Sequence, residues 1–316
     1  MDSLSSVHER VRENDGNEVF IAKMRILITG GAGFIGSHIL RNLGYCHEVK
    51  IYDIVNGDDV LDFENLKNKM KGNEIVVHCA AIAGIYRTAE NYDKTIDVDL
   101  IGTWNAVRVA KENKVSLFIN FSTSEVYGPM VYDGTEEEAT TQGPISERRW
   151  AYAVSKLASE YIVANSGLPF ITLRPFNIFG PGQIGEGAIR DIILKAIKGE
   201  CITVYNDGTQ IRSWCYISDF VSVIRAILEK PESWNAIYNI GNPQNTITVF
   251  NLAKKIIEMA DSKSKIVFKP HPGPEVHVRV PNINKAKKIL GFNPQVSLEE
   301  GLRRTIEFYI RKEDTR

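Results

Sequence analysis

The sequence is poor in cysteine and has no long apolar run. Its four cysteines are scattered through 316 residues, and no two stand at the spacing of metal ligands. This pattern favours reduced thiols and predicts no metal site. No apolar run reaches the roughly 20 residues of a membrane-spanning helix, and the first residues lack the apolar core of a signal peptide. We therefore expect a cytoplasmic protein that does not span a membrane.

An excess of charge of one sign is also missing. The 38 basic residues nearly balance 39 acidic ones, and the formal net charge is −1. A chain so balanced offers no electrostatic attraction for nucleic acid or for an anionic membrane. We find no internal repeat and no low-complexity tract. The 43% hydrophobic content is sufficient for a proper core, in one large domain or in two.

One stretch, Met24–Asp53, carries the most specific pattern. It reads MRILITGGAGFIGSHILRNLGYCHEVKIYD, an apolar strand followed by a glycine-rich turn, an amphipathic helix, a second strand and an acid. In a dinucleotide site Gly30 permits the tight turn, Gly33 lets the backbone approach a pyrophosphate, and Gly36 lets the helix lie close to the sheet. Asp53 can accept a hydrogen bond from a ribose hydroxyl. The stretch therefore predicts a dinucleotide site.

The residues around Asp53 indicate which dinucleotide is bound. No Arg or Lys follows Asp53 where a 2′-phosphate would need one, and the acid itself would repel that phosphate, so the sequence favours NAD over NADP. Phe34 and Ile35 complete the predicted cofactor contacts of the glycine turn. Asp59 and Val60 are predicted to form the edge of a third strand, where the carboxylate meets the adenine amino group. Asp59 is equally well interpreted as a solvated turn residue.

A further apolar strand, residues 75–81, ends in the small residues Ala80 and Ala81. Small side chains there let the ribose and nicotinamide of the cofactor lie against the backbone. His78 in the same run is a candidate general base, but a histidine between apolar neighbours is more often a satisfied core residue. We therefore predict a structural role for His78.

A second group of residues predicts chemistry. Thr123 follows the apolar run 117–121, at the end of a strand where open α/β sheets place ligands. Tyr152 and Lys156 are four residues apart on a predicted helix and so share one face. The pKa of a free tyrosine is about 10, but a neighbouring ammonium and the cationic nicotinamide favour the phenolate. Tyr152 is therefore predicted to be a general base, with Thr123 hydrogen-bonding the same substrate oxygen.

With these motifs the sequence resembles the extended short-chain dehydrogenase/reductases that modify nucleotide sugars. The resemblance covers residues 24–312 and rests on TGGAGFIG, HCAA, STSEVYG, YAVSK, LRPFNIFGP, DGTQIR and NIG. It implies an α/β fold, a Rossmann doubly wound parallel sheet with a smaller C-terminal substrate-binding lobe. It also implies a homodimer formed through two helices of each subunit, matching residues 91–113 and 152–165.

The same resemblance divides the chain. Residues 24–175 form the predicted NAD-binding domain, to which residues 213–243 return, and residues 176–212 and 244–316 form the nucleotide-sugar lobe. Residues 1–23 are polar and charged, and we predict a mobile extension or a short helix without a catalytic role.

Family roles carry over to individual residues. Tyr152 matches the catalytic base, Lys156 the residue that holds the nicotinamide ribose, and Thr123 the hydroxyl partner. The positions that grip the nucleotide, its diphosphate or the sugar match Asn177, Arg212 and Arg279. Arginine suits phosphate because its planar fork matches phosphate oxygens, although surface ion pairs would explain these arginines too. Asp99 departs from the family, because many members have asparagine at this position near the nicotinamide.

The segment Thr123-Ser124-Glu125 bears on the reaction. In the 4,6-dehydratases an aspartate usually stands where this chain has Ser124, and serine is a poor acid. Simple 4-epimerases usually carry small or hydroxyl residues in place of Glu125. With Arg149-Trp150 and the late Arg279, the segment most resembles UDP-glucuronate decarboxylases. The other interpretation of Glu125 is a buried carboxylate bonded to backbone donors.

The resemblance implies a short mechanism. Tyr152 takes the proton of the sugar C4 hydroxyl while NAD takes the C4 hydride. The C5 carboxylate is then β to a ketone, so carbon dioxide leaves into an enolate. Glu125, or a water that it holds, reprotonates C5 while Arg279 stabilises the charge. The predicted catalytic residues are thus Thr123, Ser124, Glu125, Tyr152 and Lys156.

Other interpretations stay open at the level of sequence. The first alternative reaction is a UDP-sugar 4-epimerase, and the second is a nucleotide-sugar 4,6-dehydratase. A dinucleotide-binding module without activity is disfavoured, because such members typically lose the Tyr–Lys pair. The predicted partner is a nucleotide-diphosphate sugar with uridine as the expected base, on which Tyr205 or Trp214 could stack, although both are more often core residues. The acidic run 136–138 is predicted to be a solvated loop.

Overall fold

The computed structural model describes residues 8–12 and 18–314. The strands, in chain order, are β1 (His8–Arg12), β2 (Glu18–Ala22), β3 (Arg25–Thr29), β4 (Glu48–Tyr52), β5 (Ile75–His78), β6 (Leu117–Phe121), β7 (Met130–Gly134), β8 (Phe170–Pro175), β9 (Ile178–Phe179), β10 (Ile202–Tyr205), β11 (Ile211–Ser213), β12 (Cys215–Tyr216), β13 (Ala236–Ile240), β14 (Thr246–Thr248), β15 (Ile266–Lys269) and β16 (Val278–Pro281).

The helices, in chain order, are α1 (Phe34–Leu43), α2 (Phe63–Met70), α3 (Ile85–Glu90), α4 (Tyr92–Ile96), α5 (Gly102–Glu112), α6 (Trp150–Ala164), α7 (Ala188–Ile197), α8 (Ile217–Glu229), α9 (Val249–Met259), α10 (Asn284–Leu290) and α11 (Leu298–Asp314). A π-helical turn, Asp97–Ile101, joins α4 to α5. None of the described helices has both the length and the apolarity to cross a bilayer.

The main sheet has six described strands in the order β13-β8-β6-β5-β3-β4, and all neighbouring pairs are parallel. Its central strands β5 and β6 are buried along their whole length because helices cover both faces, whereas the edge strand β4 is partly exposed. Ile39 of α1 and Ile224 of α8 pack in one core cluster, whereas Leu66 of α2, Val107 of α5 and Val163 of α6 pack in another. This arrangement is the predicted doubly wound parallel sheet.

The predicted third strand at Asp59 and Val60 is wrong. Gly57 turns the chain with a φ of +81°, and no strand is formed between β4 and α2 in the described chain. The side chain of Asp62 then caps α2 by accepting from the backbone N of Asn65 at 3.0 Å. Because the backbone is already turning into a helix, it cannot extend along the sheet edge, and β4 is the edge strand.

Besides the main sheet and the β1-β2 pair, the described residues form three smaller sheets, all from strands after β6. The largest has the order β14-β11-β16-β7, with β11 antiparallel to β14 and parallel to β16. Its register places Arg212 directly beside Arg279. Two shorter parallel pairs join β10 to β15 and β9 to β12. The sheet thus brings together two arginines that are far apart in the sequence.

The N-terminal region differs from the short helix that its composition allowed. The backbones of β1 and β2 pair antiparallel, with His8 opposite Ala22 and Arg12 opposite Glu18. Val, Phe and Ile in the second of these segments favour a strand. Residues 1–7 and 13–17 lie outside the described residues.

The solvated-loop prediction is wrong for Glu136. This residue is only 8% exposed, and its carboxylate accepts from the backbone N of Asn239 at 2.7 Å. Glu137 beside it is exposed and pairs with Lys285 at 3.0 Å. Three consecutive glutamates predict a polar, exposed segment. The backbone N–H of Asn239 near the end of β13 bonds only Glu136 of the three, and Glu136 is therefore buried.

A buried polar network lies where β6, β8 and α6 meet. The guanidinium of Arg174 forms a fork with Glu160, donating from Nε at 2.9 Å and from Nη2 at 2.7 Å. Both side chains are about 5% exposed or less. The hydroxyl of Ser122 also donates to Glu160, and Nη1 of Arg174 donates to the hydroxyl of Tyr127 at 2.7 Å. This network ties α6 to the carboxyl ends of two strands.

We expect Arg174→Met to destabilise the protein strongly, because it leaves the Glu160 carboxylate buried without its cation. Breaking a buried pair in this way costs about 3–5 kcal/mol. Urea unfolding followed by circular dichroism measures the change. The matched control is Arg225→Met, which removes an arginine from an exposed pair with Glu229 and should shift the midpoint little. Equal losses in the two variants would contradict this account of the network.

Candidate active site

The glycine turn forms a close cradle at the start of α1. Gly30 has a φ of +68°, and a Cβ there would lie 2.7 Å from the backbone N of Ala80. A Cβ on Gly36 would collide with the carbonyl oxygen of Gly30. Gly33 precedes Phe34, the first residue of α1, and has no side chain to cap the helix. The first N–H groups of α1 can therefore face a pyrophosphate, and the binding of one there stays a prediction.

Asp53 lies at the end of β4, against this turn. Its Oδ2 accepts from the backbone N of Ala32 at 2.9 Å, and its Oδ1 accepts from the backbone N of Val55 at 3.1 Å. The carboxylate is thereby held beside the glycine turn, where a ribose would lie. Its negative charge sits where a 2′-phosphate would need a cation, which supports NAD over NADP.

Asp59 and Val60 are placed differently from Asp53. Oδ1 of Asp59 accepts from the backbone N of Leu61 at 2.9 Å, a local turn contact, and Val60 is a buried core residue. This geometry favours the turn interpretation of Asp59. A contact between its carboxylate and adenine stays a prediction.

His78 is a satisfied core residue, in agreement with the sequence. It is fully buried, with Nδ1 2.7 Å from the hydroxyl of Thr29 and Nε2 3.0 Å from that of Thr103. Burial, and then the charge of Lys156, lower the pKa of His78 to about 3, so the ring is neutral. Ala80 and Ala81 follow it at the end of β5 and are partly exposed, as a surface for the cofactor requires.

The structure brings Tyr152, Lys156 and Thr123 together. Tyr152 lies beside the side chain of Thr123. Burial, and then the charge of Asp99, raise the pKa of Tyr152 above its usual range. Lys156 is 1% exposed, and its Nζ has no hydrogen-bond partner within the described chain. A buried ammonium without a partner fits a ribose hydroxyl of NAD, so these residues suit the predicted cofactor.

Glu125 lies between two arginines next to this group. Its Oε1 is 3.1 Å from Nη1 of Arg279, and its Oε2 is 3.0 Å from Nη2 of Arg149. Nη1 of Arg279 is also 3.5 Å from the hydroxyl of Ser124. Burial would raise the pKa of Glu125, but the charges of Arg279 and Arg149 outweigh it and hold that pKa below its usual range. Glu125 is therefore an anion at neutral pH.

The other predicted substrate residues lie around this cluster. Arg212 donates from Nη2 to the carbonyl oxygen of Val276 at 2.5 Å, and burial followed by the charge of Arg279 lowers its pKa to about 10. Its charge reaches Glu125 as well. Asn177 instead donates from Nδ2 to the carbonyl oxygen of Ser213 at 3.0 Å. The structure thus joins Arg212 to the Glu125 cluster and gives Asn177 a backbone contact.

Sequence reasoning left two residues of this site without a role. Arg149 was noted beside Trp150, but its pairing with Glu125 could not be predicted. Arg149 stands three residues before Tyr152, outside the YAVSK motif, and that motif assigns it no role. Asp99 was noted only as a departure from asparagine. It is fully buried and accepts from the backbone N of Ile82 at 2.7 Å. Its relation to Lys156 could not be seen in the sequence, because the two residues are 57 positions apart.

Comparison with known proteins agrees with this geometry. The profile of the NAD dependent epimerase/dehydratase family matches residues 26–241. A UDP-N-acetyl-alpha-D-glucosaminuronate decarboxylase of Bacillus cytotoxicus is 33% identical, over 91% of this chain and 98% of its own length. UDP-glucuronic acid decarboxylase 1 of Arabidopsis thaliana is 31% identical, over 90% of this chain and 69% of its own length.

A solved structure gives the same result for the fold. The UDP-glucose 4-epimerase of Thermotoga maritima, solved with UDP-glucose, superposes with a TM-score of 0.83 at 29% identity, covering 92% of this chain and all of the epimerase. The predicted Rossmann fold class, the use of NAD and the enzymatic nature of the protein are confirmed by these comparisons. The chain belongs to the NAD dependent epimerase/dehydratase family.

Proposed function

We propose that this protein decarboxylates a UDP-linked uronate through a 4-keto intermediate. The observation that carries the proposal is the arginine cluster around Glu125. Arg149 and Arg279 pair with this single carboxylate, and the charge of Arg212 also reaches it. Three guanidinium groups around one carboxylate leave surplus positive charge beside Tyr152. A uronate brings a carboxylate to that place, whereas a neutral hexose does not.

Relatives support the substrate class. The two curated relatives described above are named as decarboxylases of UDP-linked uronates, one with an N-acetyl group on the sugar and one without. The uridine base is taken from the same names. Ser124, where a dehydratase would need an acid, argues against loss of water.

The residues of the site divide the reaction between them. Tyr152 takes the proton of the C4 hydroxyl, to which Thr123 also donates a hydrogen bond. NAD, when bound, accepts the C4 hydride and can return it. Once C4 is a ketone, the C5–carboxylate bond breaks, carbon dioxide leaves and its electron pair forms an enolate. Arg279 offsets the enolate charge, and a proton then returns to C5.

Glu125 is suited to hold a water rather than to donate its own proton. A carboxyl group with a lowered pKa has no proton to give at neutral pH. Glu125 can instead orient the arginines and accept a hydrogen bond from the water that protonates C5. Of the two roles that the sequence allowed for this residue, the geometry supports the water-holding one.

Mass spectrometry of the product tests the reaction. Incubation with NAD and either UDP-glucuronate or UDP-N-acetylglucosaminuronate should give a product lighter by one carbon dioxide, because the C5 carboxylate becomes β to a ketone. UDP-glucose is the matched neutral substrate and should give no decarboxylated product. An unchanged mass with an inverted C4 centre would instead establish a 4-epimerase, and loss of water from a hexose would establish a dehydratase.

Substituting Glu125 tests its role on the sugar. Glu125→Gln should lower turnover by about a hundredfold, the usual scale for proton-transfer catalysis, and leave the affinity for NAD unchanged. Steady-state rates and a fluorescence titration with NAD measure the two effects. Glu137→Gln, which changes an exposed carboxylate, is the control and should keep full activity. A Glu125→Gln protein with parental turnover would remove Glu125 from the mechanism.

We also propose a homodimer, formed by α4 to α6 of each subunit. Large apolar side chains are exposed along these neighbouring helices, with the exposed fraction between 39% and 66%. They are Tyr92, Ile96, Ile101, Trp104, Val154 and Tyr161. Exposed apolar side chains on neighbouring helices suit the same surface of a second copy about a twofold axis.

A charge placed in this surface should separate the subunits. Trp104→Glu should sediment as a monomer at a concentration at which the parent is a dimer, because the interface would have to bury an unpaired carboxylate. Tyr45→Glu is the matched control, since Tyr45 is 90% exposed after α1, on the opposite face of the sheet. A monomeric parent protein in analytical ultracentrifugation would refute the dimer.

A further inference from the structure

Asp99 occupies an unusual place in the fold. It lies in the π-helical turn Asp97–Ile101, and such turns are rare and frequent at functional sites. The side chain is fully buried, and Oδ1 accepts from the backbone N of Ile82 at 2.7 Å. Its Oδ2 is also buried and has no hydrogen-bond partner among the described residues. A buried carboxylate oxygen without a donor is costly and calls for an explanation.

The turn is tied to the helix that carries the base. The carbonyl oxygen of Asp99 accepts from the hydroxyl of Thr103 at 2.6 Å and from that of Ser159 at 2.8 Å. Ser159 lies on α6, three residues after Lys156. The position of Asp99 is therefore set relative to Lys156 and Tyr152, on the same helix, rather than by its own turn alone.

Lys156 carries the charge that Asp99 faces. Nζ of Lys156 is buried without a hydrogen-bond partner in the described chain, as is Oδ2 of Asp99. Burial lowers the pKa of Lys156, and the charge of Asp99 opposes that change. The charge of Asp99 also acts on Tyr152, whose pKa it raises after burial has done so. Asp99 therefore acts on both members of the Tyr152–Lys156 pair.

The other titratable groups around the pair do not replace Asp99. From β5, His78 is neutral, and burial keeps the pKa of the Cys79 thiol above its usual range. On α6, Glu160 faces Lys156 but is paired with Arg174. From the segment after β6, Glu125 faces Tyr152.

Glu125 is likewise already paired, with Arg149 and Arg279. Of the three acids that act on Tyr152 or Lys156, Glu125 and Glu160 each contact an arginine, whereas Asp99 has no cation in direct contact within the described chain. Its charge is available to offset that of Lys156.

We propose that Asp99 is a positioning residue that offsets the charge of Lys156, so that Tyr152 keeps its proton while no cofactor is bound. Burial raises the pKa of Asp99 to about 7, so the carboxylate is charged above that pH. With Lys156 charged as well, the two charges nearly cancel at the phenol, and a phenolate gains little. Binding a cationic group next to Tyr152 then shifts the balance toward the phenolate. The inference rests on the proposed role of Tyr152 as the base but not on the identity of the sugar.

Asp99→Asn tests the proposal because it removes the charge and keeps an oxygen for the backbone N of Ile82. The ionisation of Tyr152 is followed by tyrosinate absorbance without cofactor, as the difference between each protein and its Tyr152→Phe counterpart. The midpoint in Asp99→Asn should lie lower than in the parent by about one pH unit or more, the effect of one nearby charge. An equal or higher midpoint would overturn the proposal.

A control separates charge from general perturbation of the turn. Asp97→Asn changes an exposed acid two residues earlier in the same turn and should leave the midpoint where it is in the parent. Because the titration needs no substrate, a protein without decarboxylase activity still yields the result. Failure of the proposed reaction and failure of the Asp99 proposal are therefore distinguishable.

A second experiment covers the case in which Asp99→Asn does not fold by itself. Lys156→Met leaves Asp99 buried without its opposing charge, so it should lower the unfolding temperature. Adding Asp99→Asn to Lys156→Met should recover part of that loss. A double variant no more stable than Lys156→Met would show that the two charges do not oppose each other.

Discussion

The bidentate pair between Arg174 and Glu160 holds the helix on which the predicted chemistry depends. Glu160 follows Lys156 by four residues and Tyr152 by eight, so the three side chains lie along one face of α6. One end of that face is anchored to β8 through Arg174, and to the end of β6 through Ser122. Because Thr123 directly follows Ser122, the same anchor sets the distance between the phenol and its hydroxyl partner.

The charges around Tyr152 are divided between two sides. On the sugar side, Arg149 and Arg279 enclose Glu125, which leaves positive charge for an anionic substrate. Around the predicted cofactor site, Asp99 acts on Lys156 and holds the backbone of Ile82, in the segment that follows β5. A cation in direct contact with a buried acid keeps that acid ionised. An acid without such a contact instead changes the pKa of neighbouring groups by its charge. In the two proposals, groups of an acid with cations thus serve substrate binding on one side and control of the Tyr152 proton on the other.

The errors of sequence interpretation have a common physical cause. Asp59 and Val60 read as an edge strand, but the cap that Asp62 provides to α2 turns the backbone away. Glu136 is predicted to be solvated, but its carboxylate accepts from the buried backbone N of Asn239 and is buried with it. In both cases a hydrogen bond decided the outcome: Asp62 caps α2 within the local sequence, whereas the donor to Glu136 lies 103 residues away. Intrinsic preference is a weak guide when tertiary contacts compete with it.

Patterns confined to a few residues were readable from the sequence alone. The glycine turn, the strand that ends at Asp53 and the shared face of Tyr152 and Lys156 follow from steric rules and helical spacing, which act over one or two turns of chain. The tertiary structure alone decided which distant residues meet. Ser124 and Arg279 are 155 residues apart, and only the parallel register of β11 and β16 sets Arg212 beside Arg279. No helical or strand periodicity of the sequence relates these positions. They come close only when the strands pair, which requires long loops to close.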